Sequence, residues 1–274
     1  MKLKFLGTAA AEGWPALFCQ CEVCRKARRS GGKNVRTRSS CLLDEECLID
    51  FQSDTYLHAL KYKLELGRLR HIVITHSHED HFYPQALQLR KEPFAYLEEE
   101  EKLHLYGNRS VENKLEEVQS KWSERKGAPL EFHQIGPGES FKAGQTNFYP
   151  LRAAHMEGET ALLYLMEKEG KRVLYGHDSG FFPEDTWRIL AQVRLDCAIL
   201  DCTFGKKKGQ GGHMGVQMNL KVKERMLREG IADEETNFVL THFSHNGGFL
   251  HQELQEAVAP HDFTVAYDGL EIEL

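Results

Sequence analysis

The sequence predicts an α/β fold with its strands buried between helical layers. Three observations predict it. Short apolar runs bounded by turn residues alternate along the chain with stretches of helical length. Five of those runs end in His or Asp, the pattern of strands delivering polar groups to one edge. No long linker, repeat or low-complexity tract interrupts the 274 residues, so a single domain over 1–274 is expected.

In chain order the strand candidates are KLKFLG, CLLDEECLID, HIVITHSH, TNFYPLRAAH, ALLYLMEK, RVLYGHDS, CAILDCTF, NFVLTHFS and FTVAYDG. Helices are expected over Asp54 to Leu66, about Pro84 to Lys91, Val111 to Arg125, Pro183 to Val193, Met218 to Glu229 and His251 to Val258. Residues 98–126, which include the run Glu98 to Glu101, read as a solvated helical surface, with a cap or dimer contact as the alternative. The basic runs Arg25 to Arg29 and Lys206 to Lys208 read as solvated too, with a phosphate-attracting rim as the alternative.

Composition narrows the function classes. Lys+Arg 35 against Asp+Glu 41 gives a net charge of −6, which offers no broad attraction to nucleic acid. KLKFLG after Met1 is a strand pattern rather than a secretory leader, and no apolar run approaches a membrane span. The expected compartment is therefore the cytoplasm, with no membrane partner. There, seven cysteines are expected to be thiols or metal ligands rather than disulfides.

The strongest chemical signal is THSHEDH, Thr75 to His81. Residues two apart in extended backbone point the same way, so His76 and His78 can grip one metal. Asp80 and His81 diverge in a strand, but reach a neighbouring point if the chain turns into a helix there. Four ligands within six residues suit two metals about 3.5–4 Å apart. Strand ends supply the rest. His155 completes a set with His76 and His78, His242 joins Asp80 and His81, and Asp178 has two oxygens with which to bridge. Near the N-terminus, Cys19, Cys21 and Cys24 form C-x-C-x2-C, one ligand short of a closed tetrahedral site. From spacing alone this is a zinc site with a distant fourth ligand or a C-x-x-C redox pair.

With these residues in place the chain resembles the metallo-β-lactamase superfamily over essentially its whole length, from LGT at Leu6 to Thr8 onward. The resemblance implies an αββα four-layer sandwich with a dinuclear metal cleft at the sheet edge. CQCEVC, GGHMG around His213 and THFSH at 241–245 further resemble the PhnP-type cyclic phosphodiesterases of phosphonate breakdown. That resemblance implies a structural zinc on Cys19, Cys21, Cys24 and His245, within an N-terminal loop at about 18–30. It also implies that His213 lies near the substrate phosphate and assists the leaving group. Cys41, Cys47, Cys197 and Cys202 read as small buried hydrophobes. Asp201 is expected to orient a metal-binding histidine, and His177 to point to the opposite side from Asp178. His58, His71, His104, His133, His251 and His261 show no partners in the sequence.

The expected cofactors are two catalytic divalent metals (Zn2+, Mn2+ or Fe2+) and one structural zinc. The expected activity is two-metal phosphodiester hydrolysis of a small cyclic or ribose substrate, with a protonated His213 assisting departure of the alkoxide. The alternatives are a tRNA 3′-processing-type nuclease, a thioesterase- or lactamase-like hydrolase, and a non-hydrolytic metal-binding protein of cofactor biosynthesis. A homodimer is left open.

Overall fold

The computed structural model describes residues 1–97, 102–122 and 129–274. The first half of the chain supplies β1 (Lys2–Gly7), β2 (Ser40–Leu43), β3 (Cys47–Ile49), β4 (His71–Val73), β5 (Leu103–Gly107) and β6 (Leu130–Gln134). The second half supplies β7 (Phe141–Ala143), β8 (Thr146–Arg152), β9 (Leu162–Lys168), β10 (Lys171–Gly176), β11 (Cys197–Asp201), β12 (Asn237–Thr241) and β13 (Phe263–Val265). A last strand, β14 (Glu271–Glu273), returns to pair with β1. The result is two seven-stranded sheets, ordered β14-β1-β2-β3-β4-β5-β6 and β13-β12-β11-β10-β9-β8-β7.

The main core lies between the sheets. Phe5, Val73 and Tyr106 of the first meet Phe148, Leu163, Val173 and Ile199 of the second. A second cluster, including Ile72, Ile74, Leu105, Val111 and Leu115, fills the outer face of the first sheet under helix α3. Helices α1 (Glu22–Ser30), α2 (Thr55–Tyr62), α3 (Arg109–Gln119), α4 (Glu184–Leu190), α5 (Val216–Arg228) and α6 (His251–Val258) complete the αββα sandwich.

Several expectations change here. CLLDEECLID is a hairpin rather than one strand, with Asp44 and Glu45 taking positive φ at its tip. Part of the 98–126 segment is the strand β5, whose Leu103 and Leu105 alternate onto the outer core. Apolar residues every second position outweigh the polar composition around them. Glu98 to Glu101 and residues 123–128 lie outside the described residues. Pro84–Arg90 is a 3-10 helix. α1 follows the cysteine loop directly, with Cys21 accepting the Cys24 N–H as N-cap. The basic run on α1 is not purely solvated, because Arg28 donates to the carbonyls of Cys19 (2.9 Å) and Ala16 (3.1 Å).

The sheets are stitched beside the THSHEDH segment. The buried Tyr164 hydroxyl donates to the Ile74 carbonyl (2.6 Å), and the Leu162 N–H donates to the Thr75 carbonyl (2.9 Å). Among the described residues, no helix is long and apolar enough to cross a membrane.

Candidate active site

The carboxyl ends of β4, β8, β10 and β12 deliver the candidate ligands to one place. After Thr75 the chain makes a turn, with the His81 and Phe82 N–H groups both donating to the His78 carbonyl (3.0 and 2.7 Å). This turn, without a helix, brings Asp80 and His81 to neighbouring points. His76 Nε2 lies 2.9 Å from His78 Nδ1, and His155 Nε2 lies 3.3 Å from that same His78 atom. Asp178 Oδ2 is 3.3 Å from His76 Nε2 and 3.1 Å from His81 Nε2. Asp80 Oδ2 is 3.2 Å from His81 Nε2 and 3.9 Å from His242 Nε2. The candidate ligands thus form two groups that share Asp178: His76, His78 and His155 on one side, and Asp80, His81 and His242 on the other.

The donors fit two divalent cations. His81 Nε2, His155 Nδ1, His242 Nε2 and Asp178 Oδ1 are all buried, and none has a hydrogen-bond partner of acceptable geometry. Leaving such atoms unsatisfied is costly, and a cation at their common focus removes that cost. The charges agree. Burial opposes ionisation of Asp178, but His242, His213, His81 and His76 outweigh it and hold the carboxyl well below its usual range. Burial likewise opposes charge on His81, but Asp80 and Asp50 raise it well above the ordinary histidine value. Cations displace protons from such a cluster.

Backbone strain accompanies the site. Asp50, Asp178 and His242 take φ of 62°, 53° and 59°, in the left-handed region that L-residues adopt at a cost of about 1–2 kcal/mol. Each ends or follows a buried strand, where the twist redirects the side chain across the sheet edge.

Neighbouring carboxylates aim the imidazoles. Asp50 Oδ2 accepts from His81 Nδ1 (2.7 Å), which turns His81 Nε2 inward. The Thr75 hydroxyl lies 3.0 Å from the Asp50 carboxylate and 3.1 Å from His76 Nδ1. Asp201 Oδ2 lies 3.3 Å from His242 Nδ1, while its Oδ1 accepts the N–H groups of Met214 (2.7 Å) and Thr203 (3.0 Å). His177 runs behind the cluster, its Nε2 3.4 Å from Asp50 Oδ2. Glu159 grips Ser77, the residue between His76 and His78, accepting from its N–H (2.8 Å) and hydroxyl (2.6 Å). Lys114 of α3 donates to the Ser77 carbonyl (2.7 Å), so every polar group of Ser77 is held.

His213 sits beside this cluster, Nδ1 3.1 Å from Asp178 Oδ1 and 3.3 Å from Asp201 Oδ2. Burial works against its charge, but the two carboxylates prevail and raise it to about 10. Its side chain is 24% exposed, against 6% for His155 and 0% for His81. Its loop passes tightly under His155: at Gly212 (φ +86°) a Cβ would stand 2.3 Å from the His155 carbonyl oxygen. Only glycine fits that approach.

The cysteine loop meets His245. Cys19 Sγ and Cys21 Sγ lie 3.6 and 3.5 Å from His245 Nδ1, and Cys24 completes a group whose ligand atoms all lie within 4.8 Å of one another. Burial raises the Cys21 thiol, but the Cys24 N–H and His245 prevail and lower it to about 6. Burial pushes Cys24 up to about 12. On the far side of the imidazole, His245 Nε2 lies 3.6 Å from Glu12. Three sulfurs and one imidazole suit a closed tetrahedral zinc. Cys41, Cys47, Cys197 and Cys202 are buried in or beside strands.

Asp50, Glu159 and Thr203 are the site residues that sequence reasoning missed. Asp50 had a signal, since it ends the CLID run just as Asp201 ends CAIL. Glu159 lies in a loop with no pattern. His58 and His251 do have partners, at Thr37 Oγ1 (2.7 Å) and Arg36 Nη2 (2.9 Å).

The family model described as the beta-lactamase superfamily domain matches residues 46–243. The chain belongs to the β-lactamase superfamily. No curated protein sequence matches it. Among solved structures, it is similar to one described as a new diphosphatase from the PhnP family. That match has 24% identity and a TM-score of 0.79, and covers 100% of this chain and 97% of that one. Zn(2+)-bound PqqB from Methylobacterium extorquens matches at 18% identity and TM-score 0.71, covering 100% of both chains. The short form of human tRNase Z matches at 22% identity and TM-score 0.69, covering 100% of this chain and 99% of that one. These likenesses share the αββα fold, as the sequence resemblance implied. The superfamily is one of metal-dependent hydrolases, and the donor clusters above accord with that.

Proposed function

We propose that the chain is a metal-dependent phosphodiesterase acting on small cyclic or ribose phosphodiesters. His76, His78, His155 and Asp178 would hold one ion, and Asp80, His81, His242 and the shared Asp178 the other. When bound, such a pair supplies Lewis acidity and an ionised water at neutral pH. Cys19, Cys21, Cys24 and His245 would hold a structural zinc.

The observation that carries the reading is His213, a partly exposed imidazole held against Asp178 and Asp201 at the edge of the cluster. Hydrolysis forms a phosphorus–oxygen bond from water and breaks the one to the alkoxide, which leaves poorly unless protonated. With Nδ1–H directed at Asp201 (3.3 Å), His213 offers its Nε2 proton to the departing oxygen and regains one from solvent. Likeness to a structure described as a PhnP-family diphosphatase supports a phosphorus-centred substrate.

The test is a screen of cyclic and linear phosphodiesters on Zn- and Mn-loaded protein, with precursor tRNA included. A cyclic ribose phosphate is expected to turn over and the tRNA to be left intact, in keeping with a net charge of −6. His213→Ala is expected to cut turnover of the cyclic ester about 10²–10⁴-fold at unchanged metal content. Bis(p-nitrophenyl) phosphate, with its better leaving group, should lose less. Full turnover of the cyclic ester by the variant would remove His213 from the mechanism, and cleavage of tRNA alone would favour the nuclease.

A further inference from the structure

Arg36 is a buried cation that the hydrolytic chemistry leaves unused. It stands ahead of β2, 3% exposed, and its backbone exchanges hydrogen bonds with that of Trp14. Its Nη1 donates to the Thr8 hydroxyl (2.7 Å) and the Ala266 carbonyl (2.6 Å), and its Nη2 donates to His251 Nδ1 (2.9 Å). One side chain thus ties together the end of β1, the residue after β13 and the start of α6. Its counter-charge is reached through a hydroxyl. Thr8 Oγ1 donates onward to Asp268 Oδ1 (2.8 Å), while Asp268 Oδ2 accepts the N–H and hydroxyl of Thr37 (both 2.7 Å). Burial lowers Arg36 to about 10 against the pull of Asp268, so it stays charged at neutral pH.

Replacing such a buried charge by apolar atoms of similar volume is often neutral for stability, so stability alone does not account for it. What it touches next does. The guanidinium carbon lies over the Phe243 ring, 4.3 Å from its centre. Phe243 is buried and sits between His242 and the pair Ser244–His245. Its N–H donates to the Thr8 carbonyl (2.8 Å), and its carbonyl accepts the Ala10 N–H (2.9 Å). Arg36 therefore grips both sides of this junction, Thr8 by its hydroxyl and Phe243 by its ring. His242, one residue earlier, has φ 59°, a conformation that persists only where the surroundings over-determine it. The Thr203 hydroxyl supplies one constraint by donating to the His242 carbonyl (2.8 Å), and the clamped Phe243 supplies the other.

We propose that Arg36 is a positioning residue for the half of the catalytic cluster built on Asp80, His81 and His242. By clamping Phe243 against Thr8 it holds the left-handed turn that aims His242 at its partners. It touches neither substrate nor ion. The inference rests on the two-ion reading of the site and not on the choice of substrate.

The test compares the full-length wild type with Arg36→Met, which keeps a long buried side chain but removes the charge and the planar face. Zinc affinity is measured by competition with a chelator, and long-range proton–nitrogen spectra report which histidine ring nitrogens carry metal. In the variant, His242 is expected to need roughly 10–100-fold more free zinc to reach its metal-bound nitrogen shift, while His76, His78 and His155 reach theirs as in the wild type. Turnover lost at limiting zinc should return at saturating zinc. Arg36→Lys restores the charge without the planar fork and should recover part of the affinity. If Arg36→Met fails to fold, Phe243→Leu removes the ring under the guanidinium and should show the same selective loss. Equal weakening at every histidine, in step with a lower melting temperature, would overturn the positioning role and leave Arg36 a purely structural one. Unchanged spectra and affinities would overturn it too. A wild type whose catalytic histidines take up no zinc would sink the two-ion reading itself, a result distinct from either.

Discussion

The catalytic cluster and the cysteine cluster both bring nitrogen, oxygen or sulfur donors to one point, yet their surroundings differ. Around the catalytic cluster stand carboxylates that are not themselves ligands: Asp50 behind His81, Asp201 behind His242, and Glu159 under Ser77. The cysteine cluster has Arg28 on the Cys19 carbonyl and Glu12 near His245, but its three sulfurs come from one short stretch, the loop at Cys19 and Cys21 and the first turn of α1 at Cys24, and Cys21 is exposed. The lesson is that a site built for chemistry fixes the direction of each ligand, whereas a site built for stability need only close. Seven donors shared by two ions would leave positions open, while four donors on one ion would leave none.

Substitutions can break this contrast. The largest effect is expected from Asp178→Asn, which removes the ligand common to both halves. Turnover should fall more than about a thousandfold, on the order of 4 kcal/mol of barrier. Metal analysis should show the catalytic ions depleted and the structural zinc retained, and loss of all metals together would deny that the two sites are separate. Next comes Cys21→Ser. It should cost one zinc per chain and lower the melting temperature by roughly 5–10 °C, or about 2–3 kcal/mol for a chain of this size. Turnover should drop several-fold through His242, three residues from His245. Unchanged stability and turnover would mean that the cysteine loop does not support the catalytic one. The smallest effect should follow Glu159→Ala, which frees Ser77. Metal affinity at the catalytic pair is expected to fall about 10–100-fold, with turnover largely recovered at saturating metal. Glu159→Gln keeps an acceptor for Ser77 and should lie between the two. A kcat loss that excess metal does not repair would give Glu159 a role other than positioning.

Much of the fold was legible because apolar runs mark buried strands whatever follows them. The strand-end pattern led to His76, His155, Asp178 and His242 because a polar residue closing an apolar run is a local signal. Asp50 carried the same signal but was hidden within CLLDEECLID, which reads as one strand until the Asp44–Glu45 turn divides it. Glu159 could not be read at all. Its importance comes from meeting Ser77 across 82 positions, and no local pattern encodes such a meeting. The same limit applied to His71, His104 and His133, which share a face only once three distant strands are in register. β5 was masked by its acidic surroundings, although Leu103 and Leu105 mark it.

The connection from β6 to β7, residues 135–140, is where the chain leaves one sheet for the other. His76, His78, Asp80 and His81 precede it, and His155, Asp178 and His242 follow it. Neither half of the polypeptide owns all seven of the proposed ligands. The ions would therefore act as a rivet as well as a reagent, and enzymatic competence becomes a sensor of whether the two halves have docked in register.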